Sequence, residues 1–137
     1  MNYEYITYLS CKQETIWEYF SRKELFSQFQ PAPLIDFNFK VNKSFNLGTK
    51  DTIIMRGTFS KITFMKNINF RLDYFSDENH IDVKLTFISL GEMTAVHLLA
   101  EHASEAALEV SKNQWPGMLS QLKTLIETGR GLPWPNS

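Results

Sequence analysis

The chain has 137 residues, 43% of them hydrophobic and 21% charged, which fits one folded domain and excludes a disordered, collagen-like or low-complexity chain. Lys plus Arg is 14 and Asp plus Glu is 15, a formal net charge of -1, which argues against a nucleic-acid or anionic-membrane binder. Cys11 is the one cysteine, so no intramolecular disulfide can form.

The first residues, MNYEYITYLS, lack a basic region followed by an apolar stretch, so no secretory signal is expected. No apolar run approaches the ~20 residues of a membrane helix, so no membrane insertion and a cytoplasmic location are expected. The aromatic load is heavy (Phe 11, Tyr 5, Trp 3) and points to an interior that could enclose a cavity.

In chain order, Tyr3 to Ser10 is rich in aromatic and β-branched residues and predicts a strand. Glu14 to Phe20 predicts a short helix with Ile16, Trp17, Tyr19 and Phe20 as its apolar side. Lys23 to Phe29 predicts a second, stopped by Pro31 and Pro33. Ile35 to Val41 alternates, with Ile35, Phe37, Phe39 and Val41 on one face, as a half-buried strand does. Asn42-Lys43 predicts a tight turn, because Asn tolerates positive φ. A short strand follows from Ser44 to Leu47.

Thr52 to Phe64 reads as a strand in which Gly57 marks a bulge or a close approach. Asn67 to Phe75 follows, with Ile68, Phe70, Leu72 and Tyr74 in one parity. His80 to Ile88 places Ile81, Val83, Leu85 and Phe87 in another, and Thr94 to His102 is the last strand. Ser104 then caps a short helix to Val110. Pro116 belongs in a first turn, so the main helix is expected to begin near Asn113 to Trp115 and to run to Thr128. Gly129 occupies its C-terminal cap position.

A run of antiparallel strands has one face to bury, and one long amphipathic helix can cover it. The expected class is α+β with a helix-grip architecture: a curved antiparallel sheet wrapped around a long C-terminal helix, with two short helices after the first strand. Residues 1–129 form one domain in this reading, and 130–137, with Pro133 and Pro135, an irregular tail.

Four segments carry a family resemblance. Tyr5-Ile6-Thr7-Tyr8-Leu9 followed by Glu14-Thr15-Ile16-Trp17-Glu18 is similar to a strand and a "TPEKVWEAL" helix start. Asn38-Phe39-Lys40-Val41-Asn42 is similar to a "DWKVG" hairpin, and Gly57-Thr58-Phe59-Ser60-Lys61-Ile62 to a strand opened by glycine. Trp115 to Gly129, WPGMLSQLKTLIETG, is similar to "GW..ML..LK.LLETG". On these segments the chain resembles the bacterial homologues of the activator of the heat-shock-protein-90 ATPase (Aha-type), within the START-like or SRPBCC superfamily. The pattern is broken at Lys12-Gln13, where Thr-Pro is usual, at Asn42 for a glycine, at Phe29 for a tryptophan and at Ala100, near a position where many relatives carry His. The resemblance implies a shared fold and pocket but no common catalytic set.

Candidate chemistry is sparse. The three histidines are His80, His97 and His102. Asp77, Glu78, His80 and Asp82 cluster in sequence, yet without metal-ligand spacing they read as a solvated turn. His102 shares parity with Val96 and Leu98 and is a candidate polar anchor at a cavity mouth. Arg71 should face solvent. Arg56 is read as a surface cross-strand partner, with an inward carboxylate-binding role as the alternative. Cys11 reads as an unreactive thiol, and Gly129-Arg130-Gly131 as a cap and tail rather than a phosphate loop.

Candidate ligand-binding residues are Trp17, Phe20, Phe26, Phe29, Phe37, Phe39, Met55, Phe59, Phe70, Phe87, Leu98, His102, Trp115, Met118 and Leu122. No catalytic residue, metal ligand or cofactor is expected. The leading reading is a binding module for a hydrophobic, aromatic or lipid-like small molecule held between sheet and C-terminal helix. The alternatives are a co-chaperone-like domain with a protein partner, or a cyclase or hydrolase acting on an aromatic substrate. Both monomer and homodimer remain open.

Overall fold

The structure, a computed structural model, describes residues 2–75, 79–101 and 104–129. The elements in chain order are β1 (Tyr3–Leu9), α1 (Gln13–Ser21), α2 (Lys23–Phe26) with a 3-10 turn (Ser27–Phe29), β2 (Leu34–Phe37), β3 (Ser44–Gly48), β4 (Ile53–Thr63), β5 (Asn67–Tyr74), β6 (Asn79–Leu90), β7 (Met93–Glu101) and α3 (Glu105–Thr128). One seven-stranded antiparallel sheet has the order β1-β7-β6-β5-β4-β3-β2. The first strand pairs with the last, Tyr5 opposite Leu98, and α1 and α2 carry the chain to the far edge. This is the α+β helix-grip fold, with α3 held against the curved sheet.

Side-chain parity fixes which face is inside. Ile68, Phe70, Leu72 and Tyr74 of β5 are all buried, as are Ile81, Val83, Leu85 and Phe87 of β6. Arg71 projects outward and bonds Asp73 at 3.0 Å. Ala107, Leu108, Ser111, Trp115, Met118, Leu119 and Leu122 form the buried stripe of α3. The ends of α3 obey local chemistry. Ser104 accepts from the Ala107 N–H at 3.1 Å, and Gly129 closes the helix at φ 76°. By contrast, the α1 N-cap is Lys12, which makes no side-chain capping bond.

Two expectations are corrected, and a third is decided between its alternatives. First, the residues from Ser104 onward form no separate short helix, because α3 is continuous from Glu105 to Thr128 with Pro116 inside it. Proline there costs a hydrogen bond and crowds the preceding turn, about 3 kcal/mol. The buried stripe runs without a break from Ala107 to Leu122, and that burial outweighs the penalty. Second, β2 ends at Phe37, and Val41 is 46% exposed. The backbone turns after Phe37: Lys43 N–H donates to Lys40 C=O at 3.0 Å, and Asn42 takes φ 68°. Phe39 still reaches inward to contact Trp17 and Phe59. Third, the register irregularity in β4 lies between Phe59 and Lys61, not at Gly57. Of the two alternatives for Gly57 the close approach holds, since a Cβ there would overlap the Phe45 ring.

Among the described residues, no helix is long and apolar enough to cross a membrane.

Candidate ligand cavity

Between α3, the 3-10 turn and the inner sheet face lies a small, partly open cavity. Five of the expected residues line it: Phe26, Met55, Phe70, Trp115 and Met118. Each reaches it for a local reason. Met55 and Phe70 have inward parity on β4 and β5, and Trp115 and Met118 are on the buried stripe of α3. Phe26 ends α2, whose single turn is laid over the sheet edge.

Four further residues complete the wall: Gln30, Phe45, Leu72 and Gln114. Phe45 and Leu72 were legible in principle from strand parity, but Gln30 and Gln114 carried no apolar signal. Gln30 follows the 3-10 turn and precedes Pro31, which favours extended backbone in the residue before it; φ is -85° and ψ 151°. Its side chain is buried at 6% exposure. Nε2 makes no hydrogen bond among the described residues. A buried amide without a partner costs about 1–3 kcal/mol.

The space open to the centre of a water-sized sphere is about 10 Å³. That holds about one water molecule, so a larger ligand must part the walls. Met55 and Met118 are the flexible wall groups, because methionine repacks readily. A second hollow of about 430 Å³, with Lys23, Asp36, Asn38 and Lys43 among its residues, is polar and open to water.

The other expected residues are placed elsewhere in the core. Trp17 meets Phe39, Phe64 and Phe87 edge-on at 5.5, 5.6 and 6.1 Å. Phe20 and Phe29 pack at 5.2 Å, and Phe37 and Phe59 at 6.2 Å. These rings continue through Phe45 and Phe70 to Trp115, 6.2 Å from Phe70, so the cavity sits at one end of an aromatic cluster. Edge-to-face pairs add about 0.5–1.5 kcal/mol each beyond area burial. Leu98 and Leu122 are fully buried in the same core but do not line the cavity. His102 lies outside the described residues, as do Asp77 and Glu78 of the acidic turn.

Arg56 lies on the outer face. Its Nε donates to Asn46 Oδ1 at 2.8 Å, Asn46 donates to Asp36 at 3.0 Å, and the guanidinium stands over the Phe75 ring at 5.3 Å. His97 is 3.5 Å from Glu4, its cross-strand diagonal neighbour on β1. Burial first, and then the Glu127 carboxylate, push the Cys11 thiol up to about 11, which suits an unreactive side chain. Ala100 is buried against the core. Among the described residues, no group of three His, Cys, Asp or Glu converges as a metal site would require.

The sequence model of the activator of Hsp90 ATPase homolog 1-like protein family matches residues 10–127. The chain belongs to that family. No curated protein matches it at a significant level. Solved structures agree on the fold. The Aha1 dimer from Colwellia psychrerythraea superposes with a TM-score of 0.79 at 12% identity, over 96% of this chain and 99% of that one. An HSP90 activator from Plasmodium falciparum gives 0.79 at 18%, over 92% and 96%. A protein from Mesorhizobium loti gives 0.82 at 14%, over 95% and 99%. At these identities the likeness concerns the fold.

Proposed function

We propose that this protein binds a small hydrophobic molecule, aromatic or lipid-like, between the sheet and α3. The observation that carries this reading is the cavity itself: a small space walled by Phe, Trp, Met and Leu side chains with, among the described residues, two polar ones, Gln30 and Gln114. Ligand sites are mostly apolar with a few placed polar groups. Apolar burial would supply affinity, at about 25 cal/mol per Å² before the cost of opening. The short α2 and its 3-10 turn form the lid, since Phe26 and Gln30 lie on one wall while α3 forms the other. The remaining core aromatics of the expected set back this wall through the ring cluster that ends at Trp115.

The test is thermal stability of the purified protein against a panel of hydrophobic and aromatic compounds. A ligand at about 100 times its Kd adds about 2.7 kcal/mol and raises the midpoint by several degrees. No shift with any compound removes the support for this function.

A second reading, a co-chaperone-like interaction domain, is favoured by one feature. Ile6, Tyr8, Ile88, Leu90 and Met93 are exposed. Register brings Tyr8 and Ile88 to either side of Ala95, and Leu90 opposite Met93, on the outer face. The family's description names an activator of the Hsp90 ATPase. If this face is the contact, Tyr8→Glu with Ile88→Glu abolishes stimulation of an Hsp90 ATPase and leaves ligand-induced midpoint shifts intact.

A further inference from the structure

We propose that Gln30 is the hydrogen-bond donor that orients the ligand of the cavity, and that this ligand is a neutral aromatic molecule bearing an oxygen acceptor. The inference rests on the small-molecule reading above and narrows its chemistry.

Three observations carry it. The Gln30 side chain is 6% exposed, and its Nε2 makes no hydrogen bond among the described residues. Gln30 is one of the residues that line the cavity, so its unpartnered amide lies beside a space that a partner can enter. Ser111 Oγ is likewise buried without a partner among the described residues, but Ser111 is not part of the cavity wall. Gln30 therefore stands apart as a buried donor joined to a space.

The wall chemistry then selects the ligand class. Phe26, Phe45, Phe70 and Trp115 offer ring faces and edges, which favour a flat aromatic body. Among the described residues, no Lys, Arg or His lines the cavity. A carboxylate taken in would lose its hydration with only amide donors in return, whereas a carbonyl would gain a hydrogen bond at little desolvation cost. Gln114, from α3, supplies a second amide that can meet the polar end of such a ligand.

The test uses three probes: naphthalene, 2-acetylnaphthalene and 2-naphthoate. Binding is followed by NMR at the Trp115 indole and the Met118 methyl, so that only cavity occupancy is read. The wild-type protein should bind 2-acetylnaphthalene about threefold to tenfold tighter than naphthalene, the range of one net hydrogen bond, and 2-naphthoate most weakly. Gln30→Leu should erase the preference for the ketone while binding naphthalene at least as well. Gln30→Met, closer in volume, provides the same comparison should the Leu variant fold poorly. An equal ketone preference in wild type and variant overturns the role of Gln30 but leaves the cavity reading standing. Tightest binding of 2-naphthoate overturns the neutral-ligand class. If none of the three moves Trp115 or Met118, the cavity reading falls, and the role of Gln30 falls with it.

Discussion

The backbone N–H of Ser10 donates to Glu127 Oε2 at 3.0 Å, fastening the last turn of α3 to the end of β1. Lys123, one helical turn earlier, donates to the Tyr8 carbonyl at 2.7 Å and lies 3.7 Å from Glu127. This clamp fixes the C-terminal end of α3, while the cavity lies further back along the helix, at Gln114, Trp115 and Met118.

The clamp should be visible in acid. The Ser10 N–H, aided by Lys123, holds the Glu127 carboxyl below its ordinary value against an opposing desolvation. A lowered folded-state value means the stabilisation is full above the unfolded-state value of about 4.3 and is lost as pH falls through the folded one. Urea unfolding midpoints should therefore drop more steeply from about pH 5 to about pH 3 in wild type than in Glu127→Gln. Parallel profiles would mean that solvent screens the clamp completely.

Cys11 should react slowly. With its pKa at about 11, the folded thiol carries little thiolate at pH 8, whereas an unfolded cysteine ionises near 8.5. Its reaction with an aromatic disulfide reagent should be on the order of 100-fold slower in buffer than in urea. The neutral thiol is favoured by folding, so this contribution is full below about 8.5 and is lost as pH rises toward about 11. Glu127→Gln removes one of the two causes and should speed the native reaction. Equal rates in buffer and urea would contradict the buried setting.

Gly57→Ala should destabilise the protein by about 1–3 kcal/mol, because the added methyl meets the Phe45 ring. That ring is confined by Phe26, Phe59 and Phe70 at 5.0, 5.5 and 5.8 Å, so it has little room to retreat. Phe45→Leu should cost less in the Gly57→Ala background than in wild type, and a double-mutant cycle by urea denaturation measures the difference. Strict additivity would show that the two sites do not touch.

Pro116→Ala should stabilise the protein by about 1–2 kcal/mol. The alanine restores a backbone donor in mid-helix and relieves crowding, partly offset by a freer unfolded chain. Chemical denaturation reads the gain. A loss of stability would show that the pyrrolidine ring packs productively where it stands.

Much of the fold was legible because strand parity is local. The alternation in Asn67 to Tyr74 and in Asn79 to Leu90 determines by itself which side chains enter the core, Gly129 marks the end of α3, and Ser104 was legible as a cap though of a shorter helix. Of the cavity wall, Met55 and Phe70 follow from strand parity and Trp115 and Met118 from the apolar stripe of the last helix, whereas Phe45 was not singled out. What local pattern could not decide, tertiary packing did. It carried α3 through Pro116, because a continuous buried stripe outweighs one broken hydrogen bond. It kept Phe39 inside after its strand had ended, because Trp17 and Phe59 are there to receive it. It also buried Gln30, a polar residue with no periodic signal, because Pro31 holds its backbone extended where the 3-10 turn meets α3. A hydrophobic pattern records where water is excluded on average, and only the assembled walls determine which polar side chain is buried beside a space.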